Sequence, residues 1–536
     1  MKEKFFPFSY SYSYSFSFSN TKSLFILLIT SIISLTKIKS NILGIDLGTE
    51  FIKISILKPN NPFKMVENIQ SKTKTPFALA FKDEERLFGS DAISKKVRLP
   101  TQVFVNMHEF LGKKYTSENI KKFIEDFFVS YNIEENKERK TFNFKVLYNK
   151  QNLIFSTEEI FGMLFRYIKF LADKYGDTNV KNCVVTIPAF FGHKERIAIS
   201  QAIQLSDLNL QSLITENSAA AVQYSLDKEF NKTENIIFYN MGSSYSQATL
   251  VSYLSTYENK GNITIEIKRE INVIAEAWEK IGGNNINYNF IRNLMDQFDN
   301  LPIRKGKKSV KNDYKVAERI LPSVLKYKEI LSANKFTPLT ILGVEDGINL
   351  EGRISREKFE EINEDLFNRI LNPLEKVLEI ARMDISEINQ IELLGGSVRI
   401  PKVQEVLKSK INPNLIGQHM NGDDSMALGA GFISANFSSK FKPGKKIKFN
   451  QGTNYGIKIS IENINMEIKQ KSAINYCEEK ENNNNNCIIR LNKNEILFPI
   501  RTLPDSQKKI EIKSNEDFII KIFQFFDEEN TKEKDK

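Results

Sequence analysis

The sequence predicts an α/β protein of two duplicated lobes followed by a short β-rich domain. Three stretches carry that reading. Leu43-Gly44-Ile45-Asp46-Leu47-Gly48-Thr49-Glu50 is an apolar strand that enters a glycine turn and leaves as a second strand, where Ile52, Ile54 and Ile56 alternate with Lys53 and Ser55. Ile236-Ile237-Phe238-Tyr239-Asn240-Met241-Gly242-Ser243-Ser244 repeats the design, and Ala248-Thr249-Leu250-Val251 supplies its return strand. Ile391-Glu392-Leu393-Leu394-Gly395-Gly396-Ser397-Val398-Arg399-Ile400-Pro401 is a strand, a double glycine and a helix that Pro401 opens near its first turn.

Each of these turns suits an anion. Without a Cβ at Gly48, the backbone N–H groups of the turn can close on phosphate oxygens. Asp46 at its mouth is placed to hold a hydrated Mg²⁺ facing those phosphates, because Mg²⁺ binds through one or two carboxylates plus waters. An Asp-x-Gly turn in any antiparallel sheet looks similar, so the first stretch alone leaves an ordinary hairpin equally open. The repeat favours two lobes that each offer a hairpin to one nucleotide, and the paired glycines Gly395 and Gly396 let a flat adenosine lie against the backbone.

At 536 residues the chain is too long for one ordinary core, and a hydrophobic fraction of 41% fills two or three domains. The formal charge of +10 comes from lysines scattered along the chain, which reads as solvated surface and not as a nucleic-acid site. Three cysteines are too few for a disulfide framework.

Residues 1–40 read as a targeting segment: a Phe, Tyr and Ser tract, then Lys22 and the apolar run Leu24 to Leu35. That run of 12 residues fits a secretory signal and falls short of the roughly 20 needed to span a bilayer. Cleavage is expected after Thr36. Lys37 and Lys39 beyond it leave an uncleaved anchor as the alternative, the one route to a membrane. No later segment is apolar enough to span. The triplets at Asn231, Asn262 and Asn436 are compatible with glycosylation in a lumen. There Cys477 and Cys487 can pair across a short loop, while Cys183 sits in an apolar strand as a buried thiol.

Residues 41–230 form the first lobe. Thr157-Glu158-Glu159 reads as the start of a helix whose buried face is Phe161, Leu164, Phe165 and Ile168. His193 and His419 have no Cys or His at ligand spacing, so no structural metal is assigned. Residues 231–437 form the second lobe. Residues 438–446 are a basic linker, and 447–536 are β-rich, with alternation at Ile457 to Ile461, Ile510 to Lys513 and Phe518 to Phe526, broken by the polar loop Asn482 to Asn486. The chain closes on Glu533-Lys534-Asp535-Lys536, which is not a KDEL-type retrieval signal.

In order and spacing the three stretches resemble the fold shared by actin, the sugar kinases and the seventy-kilodalton heat-shock ATPases. Val184 to Phe191 with Lys194-Glu195-Arg196, and Glu216-Asn217-Ser218-Ala219-Ala220-Ala221, resemble the heat-shock chaperones. Ile330 to Asn334, Asn372 to Leu378 and Gly395 to Val406 are most similar to the large endoplasmic-reticulum branch, the hypoxia up-regulated proteins. The resemblance covers residues 41–440 strongly and the rest weakly.

The resemblance implies an actin-like ATPase domain that takes ATP or ADP with Mg²⁺. Asp46, Glu216, Asn240 and His108 fall at catalytic positions, Asp46 also at the metal. Gly48, Thr49, Glu50, Gly242, Ser243 and Ser244 fall at the phosphates. Gly282 and Gly283 open the sub-lobe that closes over the nucleotide, Lys328 and Ser332 face the nucleoside, and Gly395, Gly396, Ser397, Arg399 and Asp423 lie on the adenosine side. The chain departs from the pattern at four places. Asn240 replaces an Asp, His108 falls just before Phe110-Leu111-Gly112 where the smaller chaperones carry a catalytic lysine, and Leu325 and Glu329 replace an acid and a base. The stretch after Phe437 lacks the acidic, leucine-rich linker, and no helical lid is read before Lys536. For His108, a hydrogen-bonded histidine with no catalytic part stays open.

The implied function is an ATP-binding chaperone of the endoplasmic reticulum lumen, acting as co-chaperone and nucleotide-exchange factor for a second family chaperone with weak hydrolysis. An ATP-hydrolysing chaperone that binds unfolded or nascent lumenal polypeptides is the alternative. A sugar kinase is disfavoured, since no carboxylate is left to activate a sugar hydroxyl.

Overall fold

The computed structural model describes residues 41–58, 61–226, 228–260, 263–417, 419–437, 447–463, 495–498 and 518–525. The expectations for the targeting segment, the basic linker, the Cys477–Cys487 pair, the triplet at Asn262, the strand at Ile510 to Lys513, the polar loop and the chain end lie outside these residues.

Two sheets share one plan. In the first, Asn209–Thr215, Asn182–Ile187 and Ile42–Leu47 run parallel, and Phe51–Leu57 then returns antiparallel to Ile42–Leu47 as a hairpin. In the second, Ile416–Gly417, Gln390–Leu394 and Glu234–Met241 run parallel, and Ser246–Lys260 returns antiparallel to Glu234–Met241. The central strands are buried on both faces, which explains why Ile42–Leu47 and Ile236 to Met241 read as near-continuous apolar runs. Each glycine turn projects from the carboxyl end of its parallel strand, so both turns meet at the same edge of the molecule.

The sheets are joined by two small-residue helices. Glu216–Leu226 packs against Ser425–Asn436, and Ser425–Asn436 also lies on strand Ile42–Leu47 of the first sheet. The approach is backbone to backbone: a Cβ on Gly429 would stand 1.8 Å from the Ala219 carbonyl, and one on Gly44 would stand 2.1 Å from the Gly431 nitrogen. Helix Ser425–Asn436, late in the chain, thus packs on the first lobe.

Outer elements complete each lobe. On the first lobe they are the sheet Asn132–Asn136, Thr141–Tyr148, Gln151–Ser156 and helix Thr157–Gly176. That helix starts at Thr157, as its sequence predicts, with Ser156 as its cap. Ser156 Oγ accepts from the Glu159 N–H at 3.3 Å and Glu159 accepts the Ser156 N–H at 2.7 Å, a reciprocal cap. The expected face, Phe161, Leu164, Phe165 and Ile168, is fully buried. On the second lobe they are helices Gly283–Asp299 and Tyr314–Ala333 with the hairpin Phe336–Glu345, Ile348–Ser355.

The boundary expected at residue 447 differs from the sheet. Strand Ile447–Gln451 adds in parallel to Ile263–Glu279 at the edge of the second lobe's sheet. Asn454 Nδ2 donates to Glu276 Oε2 at 2.6 Å and to the Ala189 carbonyl at 2.9 Å. Beyond it, Gly456–Asn463 pairs antiparallel with Glu495–Phe498 and Phe518–Phe525. Among the described residues, no helix is long and apolar enough to cross a membrane. Cys183 is a buried thiol.

Candidate functional site

The two turns meet over a cleft of about 640 Å³. Thr49 and Ser243 join them directly, with hydroxyls 2.5 Å apart, and Ser244 Oγ donates to Thr49 Oγ1 at 3.0 Å. Gly48, Thr49, Gly242 and Ser243 line the cavity, whereas Ser244 supports Thr49 from behind. The second turn is stapled to the start of helix Gly283–Asp299. The Gly283 N–H donates to the Gly242 carbonyl at 3.0 Å and the Asn284 N–H to the Ser243 carbonyl at 2.6 Å. Gly282 is required for this approach, since a Cβ there would fall 2.5 Å from the Ser243 backbone.

The third stretch closes the opposite wall. Gly395 takes φ +86°, and a Cβ on it would collide with the Met241 carbonyl at 2.4 Å and Asn240 Oδ1 at 2.5 Å, so only glycine fits. Ser397 Oγ donates to the Gly242 carbonyl at 2.8 Å. Gly395, Gly396, Ser397 and Arg399 line the cleft with Leu325, Lys328, Glu329 and Ser332 of helix Tyr314–Ala333. Burial holds the Lys328 ammonium below its usual range, with Glu50 working against that. At the mouth, Asp423 bridges the lobes, 2.7 Å from Lys74 Nζ and 3.5 Å from Arg399.

The floor holds Asp46, Glu216 and Asn240. Asp46 is nearly fully buried and both its oxygens are engaged: Thr186 Oγ1 donates to Oδ1 at 3.0 Å, and Lys53 Nζ lies 2.5 Å from Oδ2. Lys53 stands directly across the hairpin from Asp46 in the strand register. Burial works against its charge, but Asp46 outweighs burial and holds the ammonium above its usual range. Glu216 accepts the Tyr245 hydroxyl and, at 2.6 Å, Gln247 Nε2. Burial and the Asp46 charge push its carboxyl up to about 8.

Two sequence expectations are corrected here. His108 does not line the cleft. It is buried behind the first hairpin, its Nε2 3.1 Å from the Leu47 carbonyl and its ring packed on Phe77 and Phe161, and burial lowers it to about 4. A neutral imidazole among phenyl rings has no route to a phosphate. The donor set on the floor also does not fit a resident Mg²⁺ on Asp46. That carboxylate is shared between an ammonium and a hydroxyl, and Asn240 offers an amide.

Lys53, Lys74 and Tyr245 line the cleft and were not singled out by the sequence reading. The signal for Lys53 was present. A hairpin turning at Thr49-Glu50 sets residues 46 and 53 opposite one another.

Fold and cleft together define a two-lobed clasp, with duplicated hairpins meeting over one anion-sized cavity. The chain belongs to the Hsp70 family, whose model, described as Hsp70 protein, matches residues 42–497. It is similar to Hypoxia up-regulated protein 1 of Xenopus tropicalis, 34% identical over 405 residues that cover 75% of this chain and 61% of that protein. It is 30% identical to Hypoxia up-regulated protein 1 of Homo sapiens over 407 residues, 75% of this chain and 40% of that one. Heat shock 70 kDa protein 17 of Arabidopsis thaliana is 31% identical over 449 residues, 82% of this chain and 51% of the plant protein. The chain thus matches between 40% and 61% of the length of these relatives.

Proposed function

We propose that the cleft binds ATP and ADP, and that the chain works in the endoplasmic reticulum lumen as a chaperone of the family. It grips a second family chaperone and speeds its release of ADP, and it hydrolyses ATP slowly itself. Asn240 carries this reading. It is 4% exposed and places a neutral amide on the floor with Asp46 and Glu216, where a carboxylate would orient the attacking water. The turns, the double glycine and Lys328 still offer the contacts that hold a nucleotide. Lumenal residence is supported by Lys22 and the apolar run that follows it, and by similarity to the hypoxia up-regulated proteins.

A second reading, an ATP-driven chaperone that binds unfolded or nascent polypeptides, is favoured by one observation. The antiparallel sheet of Gly456–Asn463, Glu495–Phe498 and Phe518–Phe525 follows directly on a strand docked to the second lobe. One experiment separates the two. The full chain is added to a lumenal family chaperone loaded with labelled ADP, and single-turnover hydrolysis by the chain alone is followed in parallel. Faster ADP release with negligible hydrolysis supports the exchange role. An unchanged release rate over a wide concentration range overturns it.

A further inference from the structure

Asp46 is the natural place to look for a divalent cation, and the structure has put a lysine there. Lys53 lies opposite Asp46 in register, its ammonium 2.5 Å from Oδ2 and its side chain 14% exposed, at the floor of the cleft. The other cations that line the cavity have different surroundings. Lys74 and Arg399 are engaged with Asp423, and Lys328 stands on helix Tyr314–Ala333 close to Gly283. Asp46 and Lys53 cancel and Asn240 is uncharged, which leaves Glu216, held by Tyr245 and Gln247, as the floor's remaining carboxylate. A divalent ion reaching Asp46 would meet an ammonium already in contact with its ligand. A phosphate arriving between the two turns would meet that ammonium as a donor.

We propose that Lys53 is a phosphate-binding residue of this cleft, supplying the positive charge that a divalent cation would otherwise bring, so that the chain holds nucleoside diphosphates without free divalent metal. The inference rests on the nucleotide reading of the cleft. It assigns Asp46 a different part as well, that of the counter-ion that keeps Lys53 charged and aimed while the site is open.

The test is binding, not turnover. Fluorescently labelled ADP is titrated into the full chain with Mg²⁺ and again with excess EDTA, and the ADP-induced rise in melting temperature is read under both conditions. The expected result is similar affinity in the two buffers. Lys53→Met should lose roughly 10- to 100-fold in EDTA, the size of one hydrogen bond to a charged group. Asp46→Asn, nearly isosteric, frees Lys53 and removes a carboxylate from beside the phosphates, so its affinity in EDTA should hold or improve. The opposite sign, weaker binding in Asp46→Asn with wild-type binding abolished by EDTA, overturns the proposal and restores Asp46 as a metal ligand. Because Lys53→Met strands a buried carboxylate, the double variant Asp46→Asn/Lys53→Met is measured beside it, and ADP binding in EDTA at wild-type strength in that variant also overturns the proposal. No ADP binding by the wild-type chain in either buffer overturns the nucleotide reading itself, and this inference with it.

Discussion

Lys96 of the first lobe and Glu318 of the second are ion-paired across the cleft, Nζ to Oε1 at 2.8 Å, with side chains only 14% and 5% exposed. Nearby, Phe127 and Phe128 of the first lobe pack on Tyr288 of the second, and Lys280 reaches back to Glu109 at 2.9 Å. The outer walls are therefore latched over the cavity by one buried pair and a small aromatic contact.

Removing one member of a buried pair strands the other, at a cost of about 3–5 kcal/mol, whereas replacing both by apolar residues is often neutral. Glu318→Ala is expected to lower the melting temperature and to speed release of labelled ADP by roughly tenfold or more, since part of that cost is relieved when the walls part. Lys96→Met/Glu318→Leu should recover the stability while keeping the walls together. Stopped-flow release and thermal melts check both. Unchanged release from Glu318→Ala would mean that the pair is not a latch.

Glu216 gives the stability a pH dependence with a definite sign. Its folded carboxyl is raised to about 8 by burial and by Asp46, from an ordinary 4.5. Between those values the folded chain keeps a proton that the unfolded chain has lost. The stabilisation is therefore complete at low pH and fades as pH rises through 8. Glu216→Gln keeps an acceptor for Tyr245 and cannot ionise, so its melting temperature should fall less than the wild type's between pH 5 and 8.5. For a chain this size each kcal/mol is worth about 1 °C. Parallel pH slopes in the two proteins would show that Glu216 is already ionised.

His108 has the opposite sign. Burial lowers its ring to about 4 from 6.5, so the folded chain resists a proton that the unfolded chain accepts. Its contribution is present above pH 6.5 and is lost as pH falls toward 4. His108→Gln should soften the acid transition. His108→Lys would push an ammonium between Phe77 and Phe161, and it is expected to lower the melting temperature without raising ATP turnover. A gain in turnover from His108→Lys would place this position back at the phosphates.

Most of the fold was legible because its signals are local. The two strand-turn-strand repeats and the double glycine each state a shape within a dozen residues, and the chain folds them into matching sheets. What was missed depends on pairing across distance. Ser425–Asn436 is apolar and small all round, with no single buried stripe to read, because it is sandwiched between Glu216–Leu226 and strand Ile42–Leu47. Strand Ile447–Gln451 reads equally well as the start of a following domain, and only the free edge of Ile263–Glu279 decides where it goes. His108 was placed by its neighbours in sequence, whereas its role is set by Phe77, Phe161 and the Leu47 carbonyl, all remote along the chain.

Asn240 is where chemistry and stability should trade. Its side chain lines the floor in register with Leu394 on one side and Gln247 on the other, and Gly395 leaves it just enough room. Asp is the same size, so Asn240→Asp changes charge and little else. If the lost charge is what slows phosphoryl transfer, restoring it should return part of a deficit of about 2–4 kcal/mol, the worth of one preorganised electrostatic group. The same charge arrives on a floor that already holds Asp46 and drives Glu216 toward its neutral form, so the variant should also melt lower than wild type at neutral pH. Single-turnover ATP hydrolysis and thermal melts on the full chain measure the two effects independently. A faster, less stable variant supports the assignment of Asn240. Equal turnover in both proteins, at the rate of an ordinary family ATPase, would show that the amide was never the reason for slow chemistry.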